Sequence, residues 1–174
     1  MMKRLLDLAD SIFFPNYTKK HWKLFSKYLA SKSRVRKFLL LIRITKIQRR
    51  FNASIPVSKR IVPFETPHGL SGIFISAAAE IGEGCVIFQN VTIGSNTIPG
   101  HPRNGGPKIG KGVMIGANAV VIGKVTIGNN ARIGAGCAVA CDVPANATAV
   151  SQKPKIIQRE GTVENTFKSI TENN

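Results

Sequence analysis

The sequence predicts a mostly β fold, a parallel β-helix built from six-residue repeats and preceded by an α-helical region. A period of six residues fits neither an α-helix nor an alternating strand, but it fits a coil whose hexads each form a short strand and a corner. An isoleucine or valine recurs with this period at Ile75, Ile81, Ile87, Ile93, Ile109, Ile115, Val121, Ile127, Ile133 and Val139. The residue four positions later is small or β-branched at Ala79, Cys85, Val91, Val113, Ala119, Val125, Ala131, Cys137 and Val143.

Three such hexads close one turn of about eighteen residues, so equivalent aliphatic side chains stack inside the coil. The position after the aliphatic residue is usually glycine, which we interpret as a need for conformational freedom at the corners. The series breaks once, between Ile93 and Ile109, where the step is one hexad plus ten extra residues. The sequence therefore predicts a loop extruded from the coil at residues 96–106, and extrusions of this kind are often functional.

Charge and composition divide the chain into three parts. Residues 1–51 hold 14 of the 25 lysines and arginines but 2 of the 9 acidic residues, so they carry +12 of the net charge of +16. We predict a basic α-helical region at 1–51, the β-helix at 52–157 and a polar tail at 158–174. An arm this basic suggests an anionic partner, whereas the alternative is a solvated helix face.

One predicted helix in the basic region has a clear start and a clear apolar stripe. Ser33 is the expected N-cap, and Leu40, Ile44, Ile47 and Phe51 form the stripe. Two interpretations stay open: the stripe packs on the coil or a neighbouring subunit, or the helix makes peripheral contact with an anionic membrane. The longest apolar run has five residues, whereas a transmembrane helix needs roughly 20. No nucleic-acid-binding motif occurs, so we expect no nucleic-acid partner.

Cysteines and histidines are few. Three cysteines cannot close a disulfide framework, and two of them occupy the small buried position of the repeat, which indicates a reducing, cytoplasmic compartment. The histidines are His21, His68 and His101. A zinc site of three histidines would need three near the coil, and the basic arm holds one of them, so we expect no metal. We read His21 as structural or solvent-facing.

Several strings of the coil resemble a known family. They are Pro67–Ile75 (PHGLSGIFI), Ile87–Gly94 (IFQNVTIG), Pro107–Gly110 (PKIG) and Ile115–Ala119 (IGANA). Through them the chain resembles the hexapeptide-repeat acyltransferases, most closely the serine acetyltransferase branch and its capsular-polysaccharide O-acetyltransferase relatives. The resemblance implies a left-handed parallel β-helix, a homotrimer with sites between subunits, and acetyl-CoA as the donor substrate.

The resemblance also implies roles for individual residues. His68 matches the general base that takes the proton of an attacking hydroxyl, which suits imidazole because it titrates near neutral pH. The family's orienting aspartate has no counterpart here, so Asn52 and Glu65 are possible orienting residues. His101 and Arg103 lie in the predicted loop, which covers the acceptor pocket in the family, and are interpreted as acceptor contacts.

The remaining implied contacts are to the donor. Ala117 and Ala135 are eighteen residues apart and match positions that flank the pantetheine arm of acetyl-CoA. Lys153 and Lys155 follow the end of the coil, where family members approach the CoA phosphates, although lysines of an ordinary surface would look the same.

The acceptor loop departs from the serine acetyltransferase pattern. Gly105 and Gly106 precede Pro107, where serine acetyltransferases carry adjacent Arg and His. We therefore expect an O-acetyltransferase acting on a sugar hydroxyl of a cell-surface or capsular glycan or its precursor. Free serine is the alternative acceptor, and a non-catalytic membrane- or nucleic-acid-binding protein is the alternative of a different class.

Overall fold

The computed structural model describes residues 17–158 and 160–161, which form two helices followed by a coil of very short parallel strands. The helices are α1 (Tyr17–Ala30) and α2 (Arg34–Arg50). The strands are β1 (Phe74–Ile75), β2 (Glu80–Ile81), β3 (Val86–Ile87), β4 (Thr92–Gly94), β5 (Lys108–Ile109), β6 (Met114–Ile115), β7 (Val120–Ile122), β8 (Thr126–Ile127), β9 (Arg132–Ile133), β10 (Ala138–Val139) and β11 (Thr148–Ala149).

The strands form the three faces of a prism. Sheet A contains β1, β4, β7 and β10, sheet B contains β2, β5 and β8, and sheet C contains β3, β6, β9 and β11. From β1 to β10 the usual parallel register step is eighteen residues, as where Lys108 pairs with Thr126, and the last step, from Arg132 to Thr148, is sixteen. Across the interruption Thr92 pairs with Val120, which is eighteen residues plus the ten of the extruded segment. The predicted coil is thus confirmed, and the ten additional residues lie between β4 and β5.

The repeated aliphatic residues fill the interior of this prism. Ile109, Ile115, Val121 and Ile127 are at most 4% exposed, and Ile109 stacks on Ile127 in the next coil. The small residues four positions later, such as Ala119, are buried too. Each fully buried aliphatic side chain contributes about 1.5–3 kcal/mol relative to exposure, so the repeat itself supplies the core of the fold.

The glycine after the aliphatic residue is required for a reason other than the predicted one. A Cβ added at Gly82 or Gly116 would lie 2.8 Å or 2.7 Å from backbone atoms of the coil above, closer than real Cβ atoms approach. The left-handed backbone conformation falls two positions later, for example at Gly84 (φ 68°) and Asn118 (φ 59°). At these two corners the first glycine therefore allows neighbouring coils to approach, and the residue two positions on makes the turn.

The two helices pack on the start of the coil. The Ser33 side chain accepts a hydrogen bond from the Arg36 N–H at 3.3 Å, which confirms the predicted N-cap of α2. Leu40, Ile44 and Ile47 of the predicted stripe are buried in the same hydrophobic cluster as the coil interior. The structure therefore favours the interpretation in which this stripe packs on the coil.

Candidate active site

His68 lies in an exposed turn at the corner where the chain passes from sheet C to sheet A, here called corner C–A. The turn is closed by a hydrogen bond from the Gly69 N–H to the Thr66 carbonyl (3.1 Å), and Gly69 has φ 71°. The imidazole lies beside Phe88 of the next coil, with ring centroids 6.0 Å apart. The ring is thus placed on a defined surface while its nitrogens can reach solvent or a ligand.

The two possible orienting residues make no hydrogen bond to His68 among the residues that the structure describes. Glu65 is held through its backbone, which pairs with Cys85 and Ile87, and its side chain is exposed. Asn52 follows the end of α2 in the left-handed conformation (φ 47°). An orienting role for either residue stays a prediction.

The predicted donor contacts share corner C–A with His68. Backbone hydrogen bonds link the successive turns of this corner, from Asn90 to Ser71 (2.9 Å), from Asn118 to Gln89 (3.1 Å) and from Gly136 to Ala117 (2.8 Å). These bonds stack the His68 turn below Ala117, and Ala117 below Ala135 in the following coil. The corner is therefore a continuous column along one edge of the prism, and its members Ala117 and Ala135 have small side chains.

The column ends where the coil ends. Val150 packs over Gly134, and a Cβ at that glycine would lie 3.6 Å from the Val150 Cα. Lys153 and Lys155 follow in an exposed segment without helix or strand. Four coil spacings of about 4.8 Å separate the His68 turn from Val150, so the column is roughly 19 Å long.

Gln89 is a candidate site residue that the sequence reasoning did not single out. It lies in corner C–A between the His68 turn and Ala117, and its side-chain Oε1 is buried without a hydrogen-bond partner in the described structure. An unpaired buried oxygen is costly, so a ligand N–H at this point would be favourable. Its place in the matched string Ile87–Gly94 was the available signal, although its burial depends on contacts between coils.

The extruded loop holds His101 in a defined tautomer. The Arg103 backbone N–H donates to His101 Nδ1 at 3.0 Å, and the Asn96 amide group lies 2.9 Å from the same nitrogen. The Asn96 Oδ1 accepts from the Ile98 N–H, which directs the amide NH₂ toward the ring. A backbone N–H can only donate, so Nδ1 is unprotonated and the proton is on Nε2. His101 therefore presents an N–H donor to its surroundings.

Arg103 is tied to the coil rather than extended into the open. Its Nη1 lies 3.3 Å from the Asp142 carboxylate and 3.3 Å from the Lys124 carbonyl. The Thr126 N–H, and to a smaller degree the Arg103 guanidinium, hold the pKa of Asp142 below its usual value. His101 and Arg103 thus line the same depression of about 610 Å³, together with Ile98 and Gly123.

This loop follows sheet A, so it leaves the prism at the next corner rather than at corner C–A. Strand β4 lies between the two corners, and one chain by itself does not bring His68 together with His101. A site using both residues would need the loop of one protomer to meet corner C–A of another. The oligomer implied by the resemblance would provide such a meeting, and it stays a prediction.

His21 belongs to the interior of the helical region. It is fully buried, and Gln48 Nε2 lies 3.0 Å from its Nε2. Gln48 also bonds both backbone groups of Ile55, which directs its amide NH₂ toward the ring. Burial lowers the pKa of His21 to about 4. Of the two predicted alternatives, the structural one is correct.

Residues 17–158 and 160–161 contain no group of three or more histidine, cysteine or acidic side chains arranged to hold a metal ion. In the same part of the chain, no helix combines the length and the apolar character that crossing a membrane requires.

The stacked hexads define a parallel β-helix of hexapeptide repeats. Its likeness to solved serine acetyltransferases shows that it is the left-handed form. The family model described as bacterial transferase hexapeptide (six repeats) matches residues 106–141. The chain is 39% identical over 94 residues to the serine acetyltransferase of Synechococcus elongatus, covering 54% of this chain and 37% of that protein. The predicted resemblance to the serine acetyltransferase branch is thus confirmed.

Solved structures agree. The Neisseria gonorrhoeae serine acetyltransferase in complex with serine is 34% identical with a TM-score of 0.59, covering 77% of this chain and 53% of that one. A serine acetyltransferase in complex with CoA is 26% identical with a TM-score of 0.64, covering 85% and 60%. The chain spans about half the length or less of most of the curated serine acetyltransferases compared, for example 37% for Synechococcus elongatus, 31% for Escherichia coli and 58% for Bacillus pumilus. Each of these comparisons therefore covers only part of the relative.

Proposed function

We propose that this protein is an O-acetyltransferase that uses acetyl-CoA as the donor substrate and a hydroxyl group as the acceptor. The observation that supports this most is the column at corner C–A, where His68, Gln89, Ala117 and Ala135 follow one another along a single edge. A long, narrow acyl-pantetheine arm fits such an edge because small side chains leave backbone groups accessible. The serine acetyltransferase solved with CoA supports the same donor.

The reaction would proceed by direct attack. His68, in its neutral form, takes the proton of the acceptor hydroxyl as the oxygen attacks the thioester carbonyl carbon. Backbone N–H groups of the corner are available to the developing oxyanion. The C–S bond then breaks, the CoA thiolate leaves and is protonated by the imidazolium, and the products are an O-acetyl ester and CoA.

The donor's phosphates would lie at the far end of the column. Lys153 and Lys155 follow Val150 there, and both are exposed. An ammonium group near a phosphate gives a charge-assisted contact that does not require a rigid pocket. The column length of roughly 19 Å places this charge well away from the reacting carbon at His68.

The acceptor is the finer part of the proposal. The relatives named above are serine acetyltransferases, and one of them was solved with serine, so the comparisons favour free serine over the glycan that the sequence predicts. His101 would contact it through its Nε2–H, supplied by the loop of a neighbouring copy in a homotrimer. We therefore propose serine as the first acceptor to test.

One observation keeps a sugar hydroxyl as the second candidate. Arg103 is engaged by Asp142 and Lys124, and Gly105–Gly106 stand where an Arg–His pair would precede Pro107. A free amino acid carboxylate would then find a neutral donor at His101 rather than a free guanidinium. A sugar acceptor has no carboxylate to neutralise and suits such a site.

We place the enzyme in the cytoplasm, which supplies acetyl-CoA.

The test is a thiol-release assay with acetyl-CoA, corrected for hydrolysis, run with serine and with a panel of sugars and oligosaccharides. We expect His68→Ala to lower kcat/KM by about 10²–10⁴-fold, with the oligomer mass unchanged. Lys59→Ala, which removes an exposed side chain of the first coil, is the matched control and should behave like the natural protein. Undiminished turnover in His68→Ala would remove His68 as the base. If none of the tested acceptors supports release of the CoA thiol, the proposed acetyltransferase activity would be contradicted.

A further inference from the structure

α2 carries a second apolar stripe that the coil does not cover. Its members are Val35, Phe38, Leu39 and Ile42, which are 71%, 64%, 56% and 50% exposed. They follow the i, i+3, i+4, i+7 spacing of one helix face. The buried stripe of Leu40, Ile44 and Ile47 lies on the opposite face. A helix that packs on one core needs only one apolar stripe, so the outer stripe requires another explanation.

The charge around this stripe is of one sign. α1, α2 and the residues between them (17–50) contain twelve lysines and arginines and no acidic residue. The ion pairs within the described residues all lie in the coil, so none of these twelve charges is neutralised by a described partner. Arg43 and Lys46 directly follow the outer stripe, where their aliphatic stems can extend beside it while their charged ends reach outward.

We infer that the outer stripe and its basic surroundings form a docking surface for an anionic lipid bilayer. Exposed aliphatic and aromatic residues on one face and lysine or arginine beside them are the combination that binds at the boundary between headgroups and acyl chains. Each nearby lysine or arginine adds attraction to an anionic leaflet. A nucleic acid would use the positive charge but would leave four large apolar side chains in water. This inference does not depend on acetyl transfer.

The surface differs from the one that the sequence alone suggested. The predicted stripe of Leu40, Ile44 and Ile47 is consumed by packing on the coil, so it is not available to a membrane. The end of α2 is fixed to the coil because the Phe51 carbonyl accepts a hydrogen bond from the Gly72 N–H at 2.9 Å. Docking through the outer stripe would therefore hold the coil at the bilayer together with the helices.

The test is co-sedimentation of the full chain with vesicles of phosphatidylcholine containing phosphatidylglycerol, compared with vesicles of phosphatidylcholine alone. We expect binding only to the anionic vesicles, weakened by salt. Arg43→Gln with Lys46→Gln should lower the partition coefficient about 30-fold, since each basic residue contributes about 5-fold. Phe38→Ser with Ile42→Ser should lower it at least as much, because two large apolar side chains are lost.

Matched controls separate this surface from general effects. Ile156→Ser removes an aliphatic side chain that is 88% exposed outside the helices, and Lys59→Gln removes a basic one from the coil. Both should bind vesicles like the natural chain. The inference is overturned if Phe38→Ser with Ile42→Ser leaves vesicle binding unchanged, and a fall in oligomer mass in that variant would then assign the stripe to a second copy. Tight binding to duplex DNA without binding to vesicles would also overturn it.

Discussion

Acid should loosen the helical region before it affects the coil, because His21 is buried in its neutral form. Burial lowers the pKa of His21 from 6.5 to about 4. Above pH 6.5 the side chain is neutral in both the folded and the unfolded state, and it does not oppose folding. As the pH falls from 6.5 toward 4, the unfolded chain binds a proton that the folded chain does not, so stability decreases.

The size of the effect follows from the shift. A group with pKa values of 6.5 unfolded and about 4 folded costs about 2 kcal/mol of stability at pH 5 and about 3 kcal/mol at pH 4. The tautomer adds to this sensitivity. Gln48 donates to Nε2, so the single proton is on Nδ1, which has no hydrogen-bond partner in the described structure. A second proton would bind at Nε2 and would therefore break the hydrogen bond that this nitrogen accepts from Gln48.

The assay can use a probe already in place. Trp22 is the single tryptophan of the chain, and its ring lies 4.7 Å from that of His21, centroid to centroid. Urea unfolding followed by Trp22 fluorescence at pH 7, 6 and 5 gives the stability of this region. His21→Gln, which is polar but does not titrate, is the control and should lose much less stability over the same range. Equal pH dependence in the two proteins would refute the reasoning.

Two further predictions concern the coil and its corner. Gly128→Ala should destabilise the coil by about 1–3 kcal/mol, because the added Cβ would clash with the backbone nitrogen of Ala145. Gly94→Ala is the control, since its Cβ would lie 3.5 Å from the nearest atom, which belongs to a side chain. Equal losses of stability in thermal unfolding of the two variants would contradict the steric argument. Ala135→Phe should raise KM for acetyl-CoA about tenfold or more, because the larger side chain would block the column at corner C–A. Ala145→Phe, at another corner, is the control and should leave KM unchanged. Equal KM values in the two variants would show that Ala135 does not contact acetyl-CoA.

Much of the coil could be predicted because equivalent positions of every hexad lie in the same environment. Ile115 and Ile127 both face the interior of the prism, so the period can be recognised even where single positions depart from it. The eighteen-residue step also predicted that Ala117 and Ala135 share a corner. The loop at 96–106 was visible as a break in the six-residue series, which otherwise holds from Ile75 to Val139.

Other features depend on contacts that the repeat does not encode. The requirement for Gly116 comes from the backbone of the coil above, not from its own dihedral angles. The burial of Gln89 Oε1 and the tautomer of His101 depend on neighbours that are distant in sequence or held in an irregular loop. The stripe of α2 that the coil covers was predicted, whereas the exposure of Phe38 and Ile42 depends on which side of the helix packs on the coil.

Because the backbone is wound into stacked coils, the length of corner C–A depends on the number of coils. Each coil contacts only the coils before and after it, so adding one complete coil would translate everything beyond it by one strand spacing without altering the corners. The separation between the backbone of the His68 turn and that of Val150 would therefore change in increments of about 4.8 Å. The number of coils between the His68 turn and the end of the coil therefore sets how long a ligand can be bound along this edge.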